Sequence, residues 1–178
     1  QIPSLKEDVL HEKFDNTIPE AISYFSLESS LLEKDYSSAL ESVYYLSRVS
    51  EGKQILEFFL EFTLKYTNNA YREVWHILRL QTFLDQKNMI NSLNRCVKLV
   101  VDCKFVDKTI NEPVNDFNWM DFFCYQIDDI GKFLQLYWIY NSDLIRSDSI
   151  RKIILQRVSR VDLSIYDKID KISMSLEQ

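Results

Sequence analysis

The sequence predicts an all-α protein: eight or nine helices arranged as antiparallel hairpins, in an irregular helical array or short α-solenoid, with a closed helical bundle as the alternative. Three observations predict it. Apolar residues recur at intervals of three and four along nearly the whole chain, the signature of helices with one buried face. No stretch alternates with period two for long enough to demand a strand. And 178 residues include only two glycines and three prolines, against average usages of roughly 7% and 5%. A strand-rich fold needs many tight turns built on Gly, Asn or Asp. The connections between helical segments are short, which makes successive helices antiparallel neighbours. At this length a single domain over 1–178 is expected. The chain opens on Gln1 rather than Met, so it reads as a domain excised from a longer protein.

Taken in order, Ser4 caps a first helix with Glu7 three residues on as its capping box, and Asp15-Asn16-Thr17 ends it. Pro19 suits the first turn of a second helix, where its missing N–H costs nothing; that helix runs to about Lys34. Asp35 or Ser37 starts a third, which ends near Ser50. The stretch Ser30 to Glu41, with Asp35, Tyr36, Ala39 and Leu40 in place, resembles the turn of a tetratricopeptide hairpin. The resemblance covers residues 22–49. No second copy follows at a fixed period, so it implies an αα-hairpin of that kind and not the family's peptide groove.

Glu51-Gly52 breaks the chain again. In the fourth helix Ile55, Phe58, Phe59 and Phe62 form one apolar row and Leu56, Leu60 and Leu64 a second, leaving Glu57, Glu61 and Lys65 as the polar row. Such a helix lies between neighbours. Thr67-Asn68-Asn69 ends it. The fifth covers about 70–85, with Val74, Ile77, Leu78 and Leu84 inward and Arg72, His76 and Arg79 wet. The sixth covers about 88–105, with Leu93, Cys96, Val97, Val100 and Cys103 on one face. An irregular stretch from Asp107 to Asn118 precedes the seventh helix, about 119–140, whose main apolar face is Met120, Phe123, Ile127, Ile130, Leu134 and Tyr137. After Asn141-Ser142-Asp143 comes the eighth, about 148–160, on Ile150, Ile153, Ile154, Val158 and Val161. A ninth covers about 164–176.

The same scarcity of glycine removes whole classes of chemistry. Gly52 and Gly131 stand far apart, so no P-loop, dinucleotide fingerprint, kinase loop or nucleophile elbow can be written. Gly52 falls at a helix boundary, an ordinary place for it. Gly131 falls inside a helix, where Gly costs about 1 kcal/mol relative to Ala, and so predicts a kink or close crossing.

Metal and catalytic signatures are equally thin. His11 and His76 are the two histidines, with no HExxH and no paired ligand spacing. Cys96 and Cys103 sit seven apart on an apolar face and read, with Cys124, as small hydrophobes. Asp121, Asp128 and Asp129 form the densest acidic cluster, a pattern that solvated helix faces share. No catalytic, metal or cofactor site is assigned, and the chain is read as not an enzyme.

Charge is uneven. Residues 1–66 carry 6 Lys+Arg against 12 Asp+Glu, and the remainder 15 against 15, so the formal net charge of −6 sits in the first third. Residues 146–171 are locally basic, and Arg151, Lys152, Arg157 and Arg160 form the candidate patch for a nucleic acid. The most unusual feature is aromatic: 3 Trp, 10 Tyr and 11 Phe. Trp119, Phe122, Tyr125, Trp138 and Tyr140 lie off the main face of the seventh helix. Trp and Tyr dominate interface hot spots, so these five are the candidate protein-binding residues. Tyr44 and Tyr45 are adjacent on one helix, so one of them faces outward.

The functional expectation is a non-enzymatic protein–protein interaction domain, a helical scaffold module of a larger intracellular multi-subunit assembly. Its partners are other protein subunits, and the acidic and basic thirds also suit self-association. A nucleic-acid-binding helical domain using the basic C-terminal helices is the alternative. The sparse cysteines fit a cytoplasmic or nuclear setting, and no apolar run of membrane-spanning length is present.

Overall fold

A computed structural model describes residues 23–106 and 130–159 of the chain. They are mostly helical, with no strand. The seven helices are α1 (Tyr24–Leu32), α2 (Tyr36–Val49), α3 (Gly52–Tyr66), α4 (Tyr71–Leu80), α5 (Gln86–Asp102), α6 (Ile130–Tyr140) and α7 (Asp148–Ser159). By contacts the chain divides into two compact units, one holding residues up to Phe58 with Leu80–Cys103, the other Phe59–Arg79 with the residues from Lys104 on. The boundaries fall within α3, before the last residue of α4 and after the cap of α5.

In the first unit α1, α2 and α5 pack pairwise. Helix α1 starts later than the sequence suggests. Ser23 is extended (φ −121°, ψ 168°) and accepts a hydrogen bond from the Ser26 N–H, so a helix running on continuously from Pro19 is excluded at that point. Its far end is a Schellman turn. The Lys34 N–H donates to the Leu31 carbonyl at 3.1 Å and the Asp35 N–H to the Ser30 carbonyl at 2.9 Å. Lys34 takes the left-handed conformation (φ 59°) that this turn requires.

Asp35 then caps α2, accepting from the Ser38 N–H at 3.1 Å and the Ser38 hydroxyl at 2.7 Å. The resulting α1–α2 hairpin is the one the turn sequence implies. Leu27 and Leu31 on α1, and Ala39, Leu40, Val43 and Leu46 on α2, are buried, the spacing of three and four that puts them on one face. Of the adjacent tyrosines, Tyr45 is buried and Tyr44 is half-exposed, its hydroxyl accepting from Arg48 at 2.9 Å.

Two contacts orient α5 in this unit. Lys34 Nζ donates to the carbonyl of Cys103, the residue capping the C-terminus of α5, at 2.8 Å. At the other end, a Cβ built on Gly52 would stand 2.6 Å from Met89 Cγ and 2.7 Å from its Sδ. The beginning of α2 thus lies by the end of α5, and the end of α2 by its beginning, so the two helices run antiparallel. Gly52 is therefore more than an ordinary boundary residue. No described glycine has a positive φ, and what Gly52 supplies is room for a side chain. Gly131 stands one residue into α6, among residues 130–133 whose side chains lie outside the described set.

Helix α4 stops at Leu80, short of the expected 85, and the chain tightens into a 3-10 turn over Gln81–Phe83. The physical reason is the next cap. Asp85 is extended (φ −69°, ψ 174°) and accepts from the Asn88 N–H, so the helix must end in time to turn the chain. Helix α5 likewise ends at Asp102. Cys103 is its extended cap rather than a member of the apolar face, while Leu93, Cys96, Val97 and Val100 are buried as their spacing predicts.

In the second unit Phe105 forms an isolated bridge with Thr67, and the Val106 N–H donates to the Tyr66 carbonyl at 2.9 Å. Phe105 meets the rings of Phe62 and Tyr66 at centroid distances of 6.0 and 6.2 Å. Pairs of this kind add about 0.5–1.5 kcal/mol each beyond the area they bury. Both apolar rows of α3 are buried in large part, including Phe59, Leu60, Phe62 and Leu64. Even the polar row is only half-exposed, and Glu61 accepts from the Ser149 hydroxyl on α7 at 2.8 Å.

Helices α6 and α7 pack together. Of the row predicted for α7, Ile150, Ile154 and Val158 are buried and Ile153 is half-exposed, while Val161 lies outside the described residues. Of the face expected for α6, Met120, Phe123 and Ile127 and the side chain of Ile130 lie outside the described set, and the two described members do not lead the burial. Leu136 and Ile139 are buried, whereas Leu134 and Tyr137 are half-exposed. The run Leu134 to Tyr140 is apolar except for Gln135, so its pattern carries almost no phase, and packing alone chose the row.

Candidate protein-binding surface

Of the five aromatic residues singled out, Trp138 and Tyr140 are described. Trp119, Phe122 and Tyr125 lie outside the described residues. Trp138 is 57% exposed, while Leu136 on one side of it and Ile139 on the other are 5% and 0%. On a helix, residues 138 and 136 are 200° apart, so seating Leu136 in the core turns Trp138 to water. Tyr140 is half-exposed. Its backbone carbonyl accepts from Arg151 Nε at 3.2 Å.

That bond introduces the basic residues, which the structure places in two different settings. Arg151 lies over the connection between α6 and α7. Besides Tyr140 it donates to the carbonyls of Ile145 at 2.9 Å and Ser142 at 3.5 Å, and it pairs with Asp148 at 3.4 Å. Arg157 donates to the carbonyls of Leu64 at 2.9 Å and Asn68 at 2.7 Å, and its guanidinium lies 5.0 Å from the centroid of the Tyr71 ring. The last carbonyls of a helix have no partner within it and carry partial negative charge. A planar guanidinium with several fixed donors can satisfy two or three of them at once. Arg151 serves the last carbonyl of α6, at Tyr140, with those of Ser142 and Ile145 in the connection that follows, and Arg157 serves Leu64 near the end of α3 with Asn68 beyond it. Lys152 is exposed, and Arg160 lies outside the described residues.

No arrangement of catalytic type emerges among the described residues. His76 is exposed on α4, Cys96 is buried and Cys103 half-exposed. No group of three His, Cys, Asp or Glu side chains that could hold a metal ion occurs among them. His11, Cys124 and the aspartates at 121, 128 and 129 lie outside the described set. Among the described residues no helix is long and apolar enough to cross a membrane.

The first unit carries exposed apolar residues outside the expected binding set. Phe25 is 76% exposed, Val49 67%, Leu80 56% and Phe83 83%. Phe25 lies in the first turn of α1 and Val49 ends α2, so the antiparallel hairpin places both at one end of the unit. Phe83 stands just before the cap of α5, at the end where Gly52 meets Met89. A signal was present in the sequence for Phe25. It is two residues from Leu27 and so falls on the opposite side of α1 from the buried pair Leu27 and Leu31.

The chain matches no family model, no curated protein and no solved structure.

Proposed function

We propose that this chain is a non-enzymatic protein-interaction domain, a helical scaffold module within a larger intracellular multi-subunit assembly. Its helices form an irregular array of antiparallel hairpins. The observation that carries the proposal is Trp138, a tryptophan more than half exposed on the helix that buries Leu136 and Ile139. Exposing so large an apolar ring gains nothing in the free chain, and its burial on a partner would make it a hot spot of about 2 kcal/mol or more. The partner is another protein subunit, docked through an apolar centre with a charged rim.

A nucleic-acid reading draws less support. Its patch was Arg151, Lys152, Arg157 and Arg160, and the guanidinium groups of Arg151 and Arg157 are engaged with backbone carbonyls. Among the described residues of the basic region, the exposed cations are Arg146 and Lys152.

The test is capture from a native extract by the wild-type chain and by Trp138→Ala, each verified as helical by circular dichroism. We expect a protein partner that survives added salt and is lost with Trp138→Ala. A partner held equally by the folded variant overturns the assignment of Trp138. Binding of an oligonucleotide that weakens steeply with salt, and is lost in Arg146→Glu with Lys152→Glu, would favour the nucleic-acid reading instead.

A further inference from the structure

We draw no further inference here: the strongest candidate, the surface patch of exposed apolar side chains Phe25, Val49, Leu80 and Phe83 on the first unit, carries nothing because nothing in the structure shows what covers it.

Discussion

Lys34 holds a left-handed backbone conformation, φ 59°, and from it donates its ammonium to the Cys103 carbonyl 2.8 Å away. The position is the one at which a helix-ending turn ordinarily carries glycine. A side chain there costs about 1–2 kcal/mol in backbone strain. The lysine returns part of that by bringing a cation to the C-terminal end of α5, where the helix dipole favours it.

Two substitutions separate these contributions. Lys34→Ala keeps the strain and loses the ammonium, whereas Lys34→Gly loses both. We expect Lys34→Ala to be the less stable of the two by about 1 kcal/mol, measured by urea unfolding. Equal stabilities would show that the turn is not strained at this residue.

Asp35, the neighbour that caps α2, sets a pH dependence. The hydrogen bond from the Ser38 hydroxyl and, after it, that from the Ser38 N–H hold its carboxyl below the ordinary value of 3.8. A depressed carboxylate contributes stability that is present above its unfolded-state value and lost as pH falls through its folded one. Acidification below about pH 4 should therefore remove this contribution. In Asp35→Asn, which can still cap the helix, the thermal midpoint should fall less between pH 5 and pH 3 than in the wild type. Parallel curves for the two proteins would remove Asp35 from the acid response.

Gly52 and Met89 should be coupled. Gly52→Ala alone drives a Cβ into the methionine side chain, which must move. In a Met89→Ala background the same change no longer meets the methionine Cγ, Sδ and Cε and gains the helix propensity of alanine. A double-mutant cycle in urea should give an interaction energy of about 0.5–3 kcal/mol, with Gly52→Ala less costly, or stabilising, in the second background. Additive effects would mean that the helices adjust without strain.

The arginines of α7 should behave as structural groups. Arg157→Met leaves the Leu64 and Asn68 carbonyls short of a donor and should cost about 1–3 kcal/mol. Lys152→Met, one charge removed from an exposed position on the same helix, should stay within about 0.5 kcal/mol of the wild type. Similar losses in both would mean that net charge, and not the carbonyl contacts, accounts for the effect.

On α6, neighbouring residues should separate stability from binding. Ile139→Ala opens a cavity at a fully buried site and should cost about 2–5 kcal/mol. Trp138→Ala, at the exposed position beside it, should change stability far less while abolishing partner capture. A large loss of stability from Trp138→Ala would place that ring in the core.

The sequence by itself determined the helical class, a helix start at Asp35, the α1–α2 hairpin and most of the buried rows of α5 and α7. These are local matters: a period of 3.6, a carboxylate within reach of a free N–H, a turn of three residues. Tertiary structure decided what depends on residues far apart in the chain. It ended α5 at Asp102 and brought Phe105, three residues on, against Phe62 and Tyr66. It turned α6 so that Leu136 and Ile139 are buried and Trp138 is exposed, since a helix apolar nearly all round carries no phase of its own. It assigned Arg151 and Arg157 to helix ends that spacing cannot reveal, because a carbonyl's need for a donor is met by whichever side chain the packing brings there. The same holds for Gly52, whose place at a helix start was readable, but whose reason, the side chain of Met89, is 37 residues further on.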